Sequence, residues 1–300
     1  MSNFPSEVHL FVNAGSRRGR VGFQIARETL KLPLASAKQF ERAESLILAA
    51  EKAIDKGADM IIVGGGDGTL SAVAHLMEHR DVTMGVLPLG TGNSFARDLQ
   101  IDVTVRAACA VIEQGQPLQV DIAAVGDRRF LNVATMGLST TIALGLEPNM
   151  KRIMGRGSYL YSLLKALAMT KPFEVSLELD NEVHRFPSLQ VVIGNGRLHA
   201  GPFPVAPDAS INEGYLSIYA LASPRKSAFL KMALSMRGGK HVDLDEVKAF
   251  RTQRGRLVSH PHQPITIDGE PASMSPVDFR VIPGALRVMV PQSFVSMPTS

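Results

Sequence analysis

Three hundred residues can bury a substantial core and suggest two domains. With 45% hydrophobic and 20% charged residues, no low-complexity tract and no repeat of solenoid period, the chain is of globular type, neither fibrous nor disordered. A net charge of +4 suits nucleotides or anionic membrane surfaces, whereas scattered basic residues, four tyrosines and no tryptophan argue against a nucleic-acid partner.

Met1 to Pro5 has no basic segment followed by a long apolar core, so no secretory signal is expected. Val8 to Val12 reads as a strand ending in Asn13-Ala14-Gly15-Ser16-Arg17-Arg18-Gly19, a loop of small and positively charged residues. A helix follows to about Leu30, and Glu44 to Lys56 reads as a second helix, closed by Gly57. The next strand, Asp59–Val63, runs into Gly64-Gly65-Gly66-Asp67-Gly68-Thr69, and a helical pattern begins at Leu70. Glycines leave no side chains in the way, so such a loop brings its N–H groups close to phosphate oxygens. Asp67 suggests a metal ion beside them. The plain alternative is a tight turn that needs glycine for geometry alone. The spacing is neither that of a P-loop nor that of a dinucleotide fingerprint.

Met84–Leu87 reads as a third strand, ending in Pro88-Leu89-Gly90-Thr91-Gly92-Asn93-Ser94-Phe95-Ala96, where Ser94 can cap the next helix. Thr104 to Gln114 is again helical. The lone Cys109 within it reads as a small buried hydrophobe and fits a reducing compartment. Alternating strands and helices predict a parallel sheet covered on both faces, with ligands at the carboxyl ends of its strands. All three loops leave strands at that end and can converge on one site.

From about Val120 the segments shorten and become β-rich: Arg129–Thr135, Glu174–Leu179, Leu189–Ile193, Tyr215–Ala220, Ala249–Arg254, Pro264–Ile267 and Leu286–Val290. Helical stretches at Gly157–Thr170 and Lys226–Met236 interrupt them. The expectation is a catalytic α/β domain over 1–122 and an antiparallel β-sandwich over 123–284, with the tail from about 285 to 300 a candidate to rejoin the first domain. Lys151, Arg152 and Arg156 ahead of Tyr159, Leu160 and Leu163 form a basic amphipathic stretch that suits a packed helix or a membrane surface. His75 and His79 have a zinc-compatible spacing but no further ligands in view, and read as solvated or capping residues. Asp268-Gly269-Glu270 follows an apolar strand. Two carboxylates flanking a glycine suit phosphoryl transfer, although alone they would read as a solvated turn.

Seven landmarks occur in order: Asn13–Gly19, GGGDGT at 64–69, PLGTGNSFA at 88–96, FLNVATMG at 130–137, Gly194-Asn195-Gly196-Arg197, Ala206–Ala209 with Asn212-Glu213-Gly214, and Asp268-Gly269-Glu270. On these, nearly the whole chain resembles the lipid kinases with a diacylglycerol kinase catalytic domain, which also include sphingosine kinases. The resemblance implies a phosphofructokinase-like α/β domain joined to a β-sandwich, with the active site in the cleft between them. It sets Asn13, Ala14, Gly15, Ser16 and Arg17, then Gly64, Gly65, Gly66, Asp67, Gly68, Thr69, Leu70 and Ser71, then Thr91, Gly92 and Asn93, against the nucleotide. Asp67 helps to place catalytic Mg²⁺; Glu270 is the first choice of base, with Asp268 close behind. The segment 206–215 resembles a structural Mg²⁺ loop, with the Glu213 carboxylate and the backbone carbonyls of Ser210 and Tyr215 as ligands.

The chain departs from the family in several places. Glu213 stands where the family has aspartate, Ala14 replaces a proline and Ser94 an aspartate. A threonine expected near residue 40 is absent, with Ser36 a weak substitute. The expected activity is an ATP- and Mg²⁺-dependent lipid kinase, cytoplasmic and transiently peripheral to the inner face of the membrane, with a homodimer as one candidate assembly. The rivals are an NAD kinase, whose related fold also carries GGDGT, and a non-catalytic lipid- or nucleotide-binding regulator.

Overall fold

Apolar, largely β-branched runs build the centre of the first unit. In the computed structural model, which describes residues 6–145, 165, 167–180, 182–200, 203–206, 208–236 and 240–295, β1 (Val8–Asn13), β3 (Met60–Gly65) and β4 (Thr83–Pro88) lie parallel and adjacent. Every residue of β3 and β4 is buried, as a sheet covered on both faces requires. The covering helices are α1 (Gly19–Thr29), packed with α5 (Val105–Gln114), and α2 (Ala43–Asp55), packed with α3 (Asp67–Met77). Cys109 is fully buried in α5. A strand absent from the sequence reading, β2 (Ser36–Phe40), pairs with the free edge of β1. None of its residues is fully buried, so it carries no apolar signature.

Two long strands bind the halves together. β5 (Gln116–Val125) pairs antiparallel with β18 (Val277–Val290), and β18 also pairs in parallel with β4, through Arg287 opposite Thr83 and Val288 opposite Met84. Its earlier residues pair with β15 (Arg254–His260), which continues to β8 (Phe173–Leu179) and β9 (Glu182–Ser188). One ten-stranded sheet therefore crosses both units, in the order β2-β1-β3-β4-β18-β15-β8-β9, with β5 and β6 (Arg128–Phe130) branching from it.

A six-stranded antiparallel sheet faces its second half: β14 (Val247–Thr252), β13 (Leu216–Leu221), β10 (Gln190–Gly194), β7 (Val133–Gly137), β16 (Pro264–Ile267) and β17 (Glu270–Met274). Phe130, Phe173, Leu177, Val191, Ile218, Leu257 and Phe279 fill the space between the sheets and make this half a β-sandwich. Behind the second sheet, Tyr219, Leu221, Phe229 and Met232 pack around α6 (Leu138–Gly145) and the helix Lys226–Ser235. The basic stretch Lys151–Arg156 lies outside the described residues, as does most of the helix expected over 157–170.

Candidate active site

At the carboxyl end of the parallel strands the three loops do meet, and their polar side chains hold them to one another. Asn13 Oδ1 accepts the Gly15 N–H at 2.9 Å, and Asn13 Nδ2 donates to Thr69 Oγ1 at 3.1 Å, joining the first loop to the second. Arg18 donates through its guanidinium to the carbonyls of Pro88 and Val103, both at 2.8 Å, and ties the first loop to the third. The second and third loops touch backbone to backbone. A Cβ on Gly90 would stand 2.6 Å from Gly66 Cα, a distance no side chain tolerates. Asn93 adopts a left-handed conformation (φ 50°), and its Oδ1 accepts the Gly90 N–H at 2.8 Å.

Several residues expected at the nucleotide are thus used internally. Asn93 is 3% exposed and closes its own turn, and Ala14 is buried with its N–H on the Phe40 carbonyl. Leu70 lies in the core, its N–H bonded to the Gly66 carbonyl. Arg17, Gly15, Gly68 and Thr91 are exposed around the junction, and Gly66 and Asp67 are partly so. Asp67 is the first residue of α3. One of its carboxylate oxygens accepts the Phe95 N–H at 3.1 Å, which fixes the start of α4 (Ser94–Asp98).

The second unit supplies the opposite wall. Ile267 pairs with Glu270, so Asp268 and Gly269 form a two-residue hairpin turn with φ of 48° and 86°, the geometry that favours Asp-Gly. The turn is real, but its aspartate is clamped rather than free: the Asp268 carboxylate accepts the N–H groups of Leu131, Asn132 and Val133 at 3.2, 3.1 and 3.0 Å. Burial pushes its pKa up to about 6, against the Val133 and Leu131 amides, and the Asp67 charge pushes the same way. Asp67 and Asp268 therefore lie within electrostatic reach of each other across the cleft, with Ser71 buried in the first turns of α3. Glu270 is exposed at the start of β17 and makes no ion pair among the described residues. An Arg129–Glu78 ion pair at 2.7 Å, largely shielded from solvent, bridges the end of α3 to β6 beside this junction.

Sequence reasoning missed three residues here. Asp98, at the end of α4, is 9% exposed; its Oδ2 accepts the Leu198 N–H at 3.3 Å, and its Oδ1 has no partner among the described residues. Burial raises its pKa to about 7, offset by the Leu198 amide and Arg197 and reinforced by Asp67. A Cβ on Gly196 would lie 2.3 Å from that carboxylate, which accounts for the glycine in Asn195-Gly196-Arg197. The Asn132 side-chain amide and Asn195 Oδ1 are also buried without partners among the described residues, while Asn195 Nδ2 bridges the Asp121 and Leu131 carbonyls. An isolated acid among Phe95, Ala96 and Leu99 was the available signal for Asp98.

The loop expected to hold structural Mg²⁺ is built differently from that expectation. The Glu213 carboxylate, 4% exposed, meets Arg251 Nη2 at 3.0 Å. Asp121 accepts the Gly214 N–H at 2.6 Å and the Gly284 N–H at 2.8 Å. Among the described residues no group of three or more His, Cys, Asp or Glu side chains is arranged to hold a metal ion. Ser210, Glu213 and Tyr215 as they stand, with their one carboxylate already neutralised, do not fit a hard divalent cation that prefers charged oxygen ligands. His75 pairs loosely with Glu78 at 3.7 Å, away from any such group.

Comparison with known proteins agrees with this architecture. Residues 7–125 match the family described as diacylglycerol kinase catalytic domain, and residues 133–290 that described as YegS C-terminal NAD kinase beta sandwich-like domain. The chain is 31% identical over 246 residues to a "Probable lipid kinase YegS-like" of Enterobacter sp. (strain 638), covering 80% of this chain and 81% of the relative. It is 26% identical over 259 residues to a diacylglycerol kinase of Staphylococcus carnosus (strain TM300), covering 86% and 85%. A diacylglycerol kinase crystal structure from Bacillus anthracis superposes with a TM-score of 0.75 at 18% identity, over 98% of this chain and 100% of that one, a likeness of fold. With two converging glycine loops, a clamped acid opposite them and matches over both halves, the chain belongs to the diacylglycerol kinase family of lipid kinases.

Proposed function

We propose that this lipid kinase takes its phosphate from ATP, bound as the Mg²⁺ complex, and transfers it in line to the hydroxyl of a diacylglycerol-like, sphingoid or phosphatidylglycerol lipid. The observation that carries the reading is the placement of Asp67, at the start of α3, on one wall of the cleft and the amide-clamped Asp268 on the other, beside glycine loops with exposed backbone. Gly66 and Gly68 offer amides to the triphosphate at the positive end of α3, and the exposed Arg17 of the first loop offers it a positive charge. Mg²⁺ arriving with ATP supplies charge neutralisation on the transferring phosphoryl group. Asp67 has an oxygen to spare for it, since only one is used by the Phe95 amide. Asp268 holds the 131–133 backbone against the turn and so sets where Glu270 emerges. Glu270, accessible and not ion-paired among the described residues, accepts the hydroxyl proton as the phosphate transfers.

The lipid acceptor requires a transient approach to a bilayer. Among the described residues no helix is long and apolar enough to cross one. A net charge of +4 favours anionic surfaces. Activity on anionic vesicles is therefore expected to fall as salt is raised, and a flat salt series would exclude electrostatic docking.

The decisive assay is transfer of labelled phosphate from ATP into a total lipid extract, with Asp67→Ala and Glu270→Ala as controls and NAD as a competing acceptor. Labelled lipid that disappears in both variants supports the reading. Labelled NADP, or lipid labelling that survives both substitutions, overturns it.

A further inference from the structure

The loop around Glu213 is where the sequence set a structural cation, and its acid is answered by a cation from within the chain. We infer that the Arg251 guanidinium takes the place of a resident divalent ion in this loop, so that the second unit holds its shape without a structural metal.

Four observations converge on this. Glu213 is nearly buried, and Asp208 and Asp121 add negative charge around it, so the loop needs a positive charge close by. Arg251 supplies it at 3.0 Å from β14, the strand beside the one the loop feeds, where it stands opposite Ser217 in the register. The guanidinium is also held in place: it lies over the Tyr215 ring at 4.5 Å, and that ring belongs to another of the residues expected at the metal. A planar fork stacked on an aromatic face loses little freedom on pairing, and it stays charged at every pH the fold survives. Glutamate, one methylene longer than aspartate, carries its carboxylate further from the loop backbone, toward β14.

The loop's own shape is accounted for by protein bonds. Asp121 receives the Gly214 amide, its own N–H goes to the Ile211 carbonyl, and Ser210 Oγ donates to Asn212 Oδ1 at 2.7 Å. Gln253 Nε2 reaches the Gly214 carbonyl at 3.3 Å. No step of this shaping waits for an ion.

The test is thermal unfolding of the full chain without nucleotide, in EDTA and in millimolar Mg²⁺, with Mg²⁺ binding followed by calorimetry. The wild type is expected to melt within about 1 °C in the two buffers, because an ion that does not bind the native state cannot shift its midpoint. Arg251→Gln is expected to melt lower in EDTA and to recover on adding Mg²⁺, by roughly 3 °C or more. The double variant Glu213→Asp with Arg251→Gln is expected to bind Mg²⁺ measurably. Two results overturn the inference: a wild-type midpoint that rises with Mg²⁺ and loses the rise in Glu213→Gln, or an Arg251→Gln midpoint in EDTA equal to wild type. The wild-type titration keeps the inference refutable even if Arg251→Gln fails to fold.

Discussion

The nucleotide side and the acceptor side of the cleft solve the same problem with different materials. On the nucleotide side the loops are held by side chains: Asn13 to Thr69, Arg18 to Pro88 and Val103, and Asn93 to Gly90. What faces solvent there is the backbone of Gly15 and Gly68, with the side chains of Arg17 and Thr91 beside it. On the acceptor side the backbone is the clamp, three amides of residues 131–133 gripping Asp268, and what faces solvent is a side chain, Glu270. In both halves the conspicuous polar residue of the motif is spent on holding the site in shape. The groups left over are those suited to the ligand: amides for phosphate, a free carboxylate for a proton.

The largest expected effect separates the two carboxylates of the acceptor side. Glu270→Gln is expected to lower kcat by about 10²- to 10⁴-fold, the usual worth of a general base, while leaving the melting temperature near wild type. Asp268→Asn points an amide donor at backbone donors. It is expected to cost about 3 kcal/mol of stability, roughly 5 °C or more in the melting temperature, besides its effect on rate. Wild-type turnover in Glu270→Gln would transfer the base role to Asp268 and erase the distinction between holder and reactant.

A smaller effect probes the nucleotide side, where the packing of loop backbones sets the cradle. Gly90→Val drives a Cβ into Gly66 Cα at 2.6 Å, and neither backbone can yield without moving a loop. A loop displaced by about 1 Å is expected to lower kcat/KM by roughly 10²-fold, largely through KM for ATP. If Gly90→Val keeps its ATP affinity, the two loops do not act as one cradle.

The same contrast decides how much was legible. Strand, glycine loop and helix are contiguous in sequence, so β1, β3, β4 and their loops could be read directly, and the order of landmarks carried the family. Contacts distant in sequence could not be read. Arg129–Thr135 looks like one strand but breaks into β6 and β7, because Leu131 and Asn132 turn their amides to Asp268, which is remote in sequence. β18 showed only its last five residues because Pro283 and Gly284 interrupt its pattern at an irregularity between Ile282 and Leu286. β2 is a strand only because β1 offers it an edge. The ion pair of Glu213 with Arg251 could not be read either, because Arg251 lies on another strand.

The last and smallest expectation concerns Asp98, where the two sides meet. Its carboxyl titrates at about 7 in the folded chain, against an ordinary value of 3.8, with burial the main cause and Arg197 and Asp67 the charged groups facing it. The folded state therefore holds a proton that the unfolded state has released, and stability falls as pH rises from about 4 to about 7, then levels off. Asp268, at about 6, adds a drop in the same direction over a narrower range. His241, whose pKa burial lowers, works the opposite way, so the informative quantity is a difference between proteins. Asp98→Asn keeps an acceptor for the Leu198 amide and removes the titration. Relative to wild type it is expected to gain on the order of 3 kcal/mol between pH 4 and 8, seen as a flatter course of melting temperature against pH. Asp67→Asn is expected to lower the Asp98 pKa, measurable by NMR titration, because one of the charges opposing ionisation is gone. Parallel melting curves for Asp98→Asn and wild type would mean that this carboxylate is already solvated, and that the wall between the nucleotide loops and the 194–197 turn is open to water.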